Sequence, residues 1–135
     1  MKVLIDADVF VALAKSTDSN HQKAKAISKK IKNHMQFVSP LTLPETATVL
    51  SHKLSQAEAI KFLIKTRKEQ SKEELVEILL TPELIEKADQ IFISQKRKNT
   101  SWPDCLNMAI LKLHHLDAIF SFDKIYAENK FRVIA

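Results

Sequence analysis

Short β-rich apolar runs alternate with longer segments of helical periodicity along the whole chain, and that alternation constrains the fold more than any other feature. Val3-Leu4-Ile5 reads as a buried strand stopping at Asp6, Phe37-Val38 as a second, and residues 118–122 as a strand ending at Asp123. Residues 75–80 could be a further strand, although their Glu-rich beginning is also compatible with helix; Arg132-Val133-Ile134 is a short last one. Helical segments fall between them, at residues 9–14 and at residues 20–33, where Ala24, Ile27 and Ile31 share a stripe. Others are expected at 44–53 and at 56–68, the latter behind a Ser55/Glu58 capping box. Pro82 opens a helix carrying Leu84, Ile85, Ala88, Ile91 and Phe92, and residues 101–115 form a central one, apolar on more than one side. Strands separated by helices need crossover connections. The expectation is an α/β fold, three layers α/β/α around a central, mostly parallel sheet of four or five short strands. No linker, repeat or low-complexity stretch divides residues 1–135, so one domain is expected.

The chain has no glycine in 135 residues, where about nine would be usual. A Gly-rich phosphate loop, a dinucleotide fingerprint and a Walker A motif are thereby excluded, since each needs glycine for close backbone approach to phosphate. Asn33, Asn99 and Asn129 stand at expected helix ends, where Asn is the next-best left-handed residue. Lys and Arg number 21 against 16 acids, a net charge of +5 that suits a polyanionic partner, nucleic acid first. The lysines concentrate at Lys23, Lys25, Lys29, Lys30 and Lys32, and a second basic run is Lys96-Arg97-Lys98. A solvated helix face would explain such runs equally well. The single cysteine, Cys105, favours a reducing compartment, and no apolar run is long enough for a membrane span. A cytosolic domain is expected.

Four acids share one kind of address. Asp6 and Asp123 terminate strands, and the strand ends of a parallel sheet lie on its carboxyl edge, where ligands bind. Thr42-Leu43-Pro44-Glu45 and Ser101-Trp102-Pro103-Asp104 repeat a Ser/Thr-apolar-Pro-acid pattern at helix starts, which strand-to-helix connections deliver to the same edge. Either helix-start acid could instead serve a capping box and the helix dipole, and either strand-ending Asp a turn. Convergence of all four favours a site. Crowded carboxylates repel one another unless a cation compensates. Oxygen ligands with no Cys or His at metal spacing suit Mg²⁺ or Mn²⁺ over zinc. An acidic metal site in a basic protein points to phosphodiester chemistry.

These motifs resemble those of the PIN-domain ribonucleases. Val-Leu-Ile-Asp6-Ala-Asp8-Val-Phe is similar to the family's opening. Pro-Glu45, Ser101-x-x-Asp104-Cys-x-x-x-Ala109 and Phe120-Ser121-Phe122-Asp123 follow in the family's order, and the size is close to VapC-type toxins of toxin–antitoxin pairs. The resemblance implies an acidic metal-binding quartet of Asp6, Glu45, Asp104 and Asp123, with Asp6 and Asp104 as direct ligands of Mg²⁺ or Mn²⁺. It also implies an RNA substrate, a homodimer and a protein antitoxin. Two departures stand out. Asp8 occupies a position usually Asn, Ser or Thr, so it is either an extra acid of the site or a turn cap. Asn129-Lys130-Phe131 replaces a glycine-containing ending.

Two other readings compete. Asp6-Ala7-Asp8-Val9 after a strand also fits the opening of haloacid-dehalogenase-type phosphatases, with Asp6 as nucleophile and Asp8 as acid/base. That reading leaves Glu45 and Asp104 without a role and lacks the glycines such a site needs. The second is an inactive PIN-like binding module. Trp102 could stack on a base or pack at its helix start, and Ser121 could orient a carboxylate or be a plain buried hydroxyl.

Overall fold

The computed structural model describes residues 1–135. Five strands, β1 (Lys2–Ile5), β2 (Met35–Val38), β3 (Val76–Glu77), β4 (Ala118–Phe120) and β5 (Val133–Ile134), form one sheet of order β3-β2-β1-β4-β5. Every pairing is parallel, with Leu4 opposite Phe37 on one side and Ile119 on the other. Seven helices make the crossovers: α1 (Ala7–Ala14), α2 (His21–Lys30), α3 (Thr42–Lys53), α4 (Gln56–Ser71), α5 (Pro82–Ser94), α6 (Trp102–Leu113) and α7 (Ile125–Glu128). None of them is long and apolar enough to cross a membrane.

The period-2 alternation of strand side chains divides the core in two. Leu4, Phe37 and Ile119 face a cluster with Leu84, Ala88 and Ile91 of α5 and the buried face of α6. Val3, Ile5, Val38 and Phe120 face the other cluster, with Val9 and Ala12 of α1 and the stripe Ala24, Ile27 and Ile31. All three stripe residues are buried as the periodicity requires. Central α6 buries seven consecutive residues, Cys105 to Leu111, which accounts for its apolar character on more than one side.

Strand order changes direction at β1: the chain moves outward through β2 and β3, then crosses back to place β4 on the other side. The β1/β4 boundary is a topological switch point, and a crevice opens there at the carboxyl ends of the strands. The ladder continues one step past β1, with Asp6 N–H donating to the Phe120 carbonyl at 3.0 Å.

Several local expectations need correction. Strand β4 ends at Phe120, so Asp123 lies in the turn beyond it, ahead of α7, a helix that four residues are too few to announce by periodicity. Helix α3 begins at Thr42, and its N-cap position, Leu41, has no side-chain cap. The Thr42/Glu45 capping box therefore does not form. The left-handed positions are Glu73, Asn99, His115 and Lys130, so Asn99 behaves as expected while Asn33 and Asn129 do not. At the chain's end Lys130, φ 67°, makes the turn immediately before Phe131 without a glycine. The Ser55 cap forms, Glu58 N–H donating to Ser55 Oγ at 3.1 Å.

Candidate active site

Asp6 sits on the switch point and does two local jobs at once. It ends β1 and is the N-cap of α1, its Oδ1 accepting from Ala7 N–H at 2.8 Å. Its carboxylate is nearly enclosed, 9 % exposed, and takes three further contacts from distant parts of the chain. Ser121 Oγ donates to Oδ2 at 2.9 Å, Tyr126 OH lies 3.0 Å from the same oxygen, and Asn107 Nδ2 donates to Oδ1 at 3.2 Å. Four hydrogen-bonding partners match the capacity of a carboxylate.

Asp104 faces Asp6 from the first turn of α6. Its backbone N–H is capped by Ser101 Oγ at 3.2 Å, so the cap expected there does form, and Pro103 occupies the first turn. The side chain is still free to face the crevice, where its Oδ1 lies 3.1 Å from Tyr126 OH. Cap and site are compatible, because the cap uses the backbone amide and the site uses the carboxylate. Glu45, in the first turn of α3, feels the charges of Asp6 and Asp104 but has no hydrogen-bond partner. Asp123 stands at the rim. Its N–H donates to Ser121 Oγ at 3.0 Å, its Oδ1 accepts from Ile125 N–H at 2.9 Å, and Arg97 approaches to 3.7 Å.

Asp8 is part of this cluster as well as of α1. Its Oδ2 accepts from Phe122 N–H at 2.9 Å, tying α1 to the β4 turn, while its Oδ1 is buried with no partner. Ser121 is a carboxylate-orienting hydroxyl, and the group it orients is chiefly Asp6, with Asp8 Oδ2 at 3.4 Å.

The electrostatics follow from burying acids together. Burial pushes Asp8 up to about 7, with the Asp6 charge adding to it. Asp6 is raised above the ordinary carboxylate range by burial, against the opposing hydrogen bonds from Ser121, Ala7 and Tyr126. Asp104 and Glu45 are raised too, in each case first by burial. Cys105 is fully buried behind Asp104, and its thiol is pushed up to about 11 by burial and then by that charge, so it is an inert core residue.

Tyr126 and Asn107 escaped sequence reasoning. Both are buried polar residues of the apolar interior, and both touch the carboxylates. One signal existed: Asn107 follows Asp104 by three residues on α6, the spacing that places two side chains on one helix face. Nothing comparable marks Tyr126.

The two basic runs part company. Lys23, Lys25, Lys29, Lys30 and Lys32 are exposed, but α2 descends toward the opposite edge of the sheet, where the Met1 amino group lies 2.8 Å from His34 Nδ1. The lysines at 29–32 are therefore far from the acids. Arg97 of the second run is a cation at the rim, within 3.3 Å of Glu128 as well as near Asp123. Trp102 packs against the core, and its indole N–H donates to Asp89 at 2.8 Å, which anchors α6 to α5.

Two concavities matter. A small one of about 280 Å³ includes Asp8 and Glu45 beside Asp18, Asn20 and Lys53. A larger groove, about 780 Å³, lies away from the acids and has Phe10, Leu13 and Phe62 on its walls with Lys61 and Lys65 at its margin. The rings of Phe10 and Phe62 meet edge to face at 5.7 Å.

A doubly wound parallel α/β domain with carboxylates gathered at its switch point defines the class. The chain belongs to the PIN-domain family, whose model matches residues 3–132. A search of curated proteins finds no match. Among solved structures, the fold is similar to VapC20 of Mycobacterium tuberculosis, described as a Sarcin-Ricin loop cleaving toxin. The TM-score is 0.84 at 19 % identity, over 96 % of this chain and 95 % of that one. It is also similar to a toxin–antitoxin complex from Klebsiella pneumoniae, with TM-score 0.69 at 15 % identity over 98 % and 96 % of the two chains. VapBC2 from Rickettsia felis, bound to a DNA fragment from its promoter, gives TM-score 0.71 at 9 % identity over 99 % and 98 %. Membership in the PIN family answers the phosphatase alternative.

The residues fit a hard divalent cation by donor chemistry. Glu45 has no hydrogen-bond partner, Asp8 Oδ1 is buried and orphaned, and the charge of Asp104 adds to the burial that raises the proton affinity of Asp6. No three acidic, Cys or His side chains are gathered into a ready-made cage. Mg²⁺ does not need one, since it is usually held by one or two carboxylates, waters and substrate phosphate.

Proposed function

We propose that this protein is a Mg²⁺- or Mn²⁺-dependent endoribonuclease and the toxin of a toxin–antitoxin pair. The observation that carries the reading is the meeting of Asp6 and Asp104, from opposite ends of the chain, on one buried hydroxyl at the switch point of a PIN-family sheet. Asp6 and Asp104 would hold the principal cation, with Glu45 and Asp123 completing the acidic quartet. A divalent cation bound there supplies Lewis-acid polarisation of the scissile phosphate and a lowered water pKa. The chain's own groups do the rest. Glu45, free of other partners, would orient the attacking water. Arg97 at the rim supplies positive charge for a phosphate on the strand, which the acids would otherwise repel. Water attack at phosphorus breaks the bond to the 3′-oxygen, leaving a 5′-phosphate and a 3′-hydroxyl.

The large groove supports a peptide partner. Its apolar wall of Phe10, Leu13 and Phe62, with charged residues at the margin, suits an amphipathic antitoxin segment. A homodimer and a cytosolic location belong to the same reading. The test is cleavage of single-stranded and structured RNA by the purified protein with Mg²⁺ or Mn²⁺, beside a chelated control, with growth arrest on expression as the second readout. Metal-dependent cleavage that Asp6→Asn abolishes supports the nuclease. Undiminished cleavage in chelator sinks the metal mechanism, and a protein that binds RNA without ever cleaving it is the inactive binding module instead.

A further inference from the structure

We propose that Tyr126, seated on Asn107, is the positioning residue that sets Asp6 and Asp104 as one two-carboxylate unit for the cation; this rests on the metal-dependent reading above. The phenol is completely buried in the cluster formed by α5, α6 and α7. Packing alone would be served by phenylalanine, so the hydroxyl needs its own explanation. It lies 3.0 Å from Asp6 Oδ2, 3.1 Å from Asp104 Oδ1 and 3.0 Å from Asn107 Nδ2. One oxygen atom thus fixes the separation of two like-charged groups that repulsion would drive apart.

Asn107 determines which way that hydroxyl works. Its amide nitrogen has two hydrogens, and one goes to Asp6 Oδ1 while the other goes to Tyr126 OH. The amide is held in this orientation because the flipped form would turn its oxygen on the Asp6 carboxylate. The consequence is an amide oxygen left buried without a partner. With Asn107 filling an acceptor site on the phenol, the single phenolic hydrogen is left to be shared between Asp6 Oδ2 and Asp104 Oδ1.

The backbone around Tyr126 is equally constrained. Asp123 Oδ1 caps the start of α7 through Ile125 N–H at 2.9 Å. After Tyr126 the chain turns at left-handed Lys130, and Phe131 N–H closes on the Tyr126 carbonyl at 2.9 Å. The short helix α7 therefore presents one side chain to the floor of the site from a framework fixed at both ends.

The test uses Mn²⁺ titration by calorimetry on the full chain, with melting by circular dichroism, for wild type, Tyr126→Phe, Asn107→Ala and the double variant. Loss of an outer-shell partner typically weakens metal affinity about 10–100-fold. Tyr126→Phe is expected to fold and to bind Mn²⁺ that much more weakly, with cleavage recovering as Mn²⁺ is raised. Asn107→Ala should weaken binding in the same direction by less, and the double variant should lose less than the sum of the two single losses, because the two share the phenolic hydroxyl while Asn107 keeps its own bond to Asp6 Oδ1. Unchanged Mn²⁺ affinity in Tyr126→Phe overturns the proposal, whatever happens to its melting temperature, and so does tighter binding, which would make the phenol a competitor of the cation. Should Tyr126→Phe fail to fold, Asn107→Ala decides by the same criterion. A wild type that binds Mn²⁺ through Asp6 yet cleaves no RNA defeats the nuclease reading and leaves the positioning role standing. A wild type with no Mn²⁺ binding that Asp6→Asn can abolish overturns both.

Discussion

The floor and the rim of the acidic cluster are built from the same residue type and held in opposite ways. On the floor, Asp6 is nearly enclosed and accepts from Ala7, Asn107, Ser121 and Tyr126, so its carboxylate has one position. At the rim, Glu45 has no hydrogen-bond partner, and Asp123 is shared between its own turn and Arg97. A buried acid must have its charge hydrogen-bonded or neutralised, whereas a half-exposed one keeps water. The floor fixes geometry at the expense of stability, and the rim leaves its carboxylates to water.

Substitutions at the two levels should therefore separate function from folding. The largest effect is expected from Asp6→Asn: a loss of RNA cleavage of about 10³-fold or more, since several kcal/mol of charge stabilisation goes with the ligand. Asn is as good an N-cap as Asp, so the same variant should melt no lower than wild type at neutral pH without added metal. A large fall in its melting temperature would show that the floor exists for folding. Glu45→Gln should reduce cleavage by about 10–100-fold, the range of a lost acid–base or water-orienting group. Its melting temperature at neutral pH should not fall.

Next in size is a pH effect on the cation-free protein. Asp8 is raised to about 7, and Asp6, Glu45 and Asp104 are raised in the same direction. A raised carboxyl in the folded state keeps a proton that the unfolded chain has already released, so its contribution is full below the unfolded value of about 4 and is lost as pH rises through the folded one. The melting temperature should thus fall between about pH 4 and pH 7, by something on the order of 5–10 °C. Mn²⁺ should reverse the fall, and Asp8→Asn should flatten it. A melting temperature that rises across that interval would contradict the buried-acid account.

Ser121→Ala removes the hydroxyl that serves Asp6 Oδ2 and accepts from Asp123 N–H, and should destabilise the protein by about 1–3 kcal/mol in denaturant titration. Arg97→Ala is the smallest. Its ion pairs with Asp123 and Glu128 are half-exposed, so a stability change under about 1 kcal/mol is expected, beside weaker RNA binding with a shallower salt dependence in salt titration. A large stability loss there would place Arg97 in the floor's category.

How much of this could be read beforehand depended on whether the information was local. Asp6 and Asp104 each carry a local signature, a strand end and a capped helix start, and the two were expected to converge. Glu45 was named from its place at a helix start on the same edge, and the rival explanation, a capping box with Thr42, does not form because α3 starts at Thr42 itself. The lysines of α2 were legible as a basic face, but which of them approach the acids was not, since charge density in sequence says nothing of which sheet edge a helix approaches; those at 29–32 lie at the far end of the helix. Asp8, ambiguous between cap and acid, has a carboxylate that bonds the β4 turn through one oxygen and is orphaned at the other.

The sequence by itself determined the alternation of strands and helices, hence a parallel sheet, and with it the edge on which strand-ending and helix-starting acids must fall. These are consequences of periodicity and of chain connectivity, both readable within a dozen residues. Only the tertiary structure decided what grips those acids. Asn107 and Tyr126 lie 101 and 120 positions from Asp6 in the chain, and their contacts exist because α6 and α7 pack over the β1/β4 boundary. Hydrogen bonds across that separation leave no pattern in the neighbouring residues, so the floor of the site could be seen only once the sheet had closed around it.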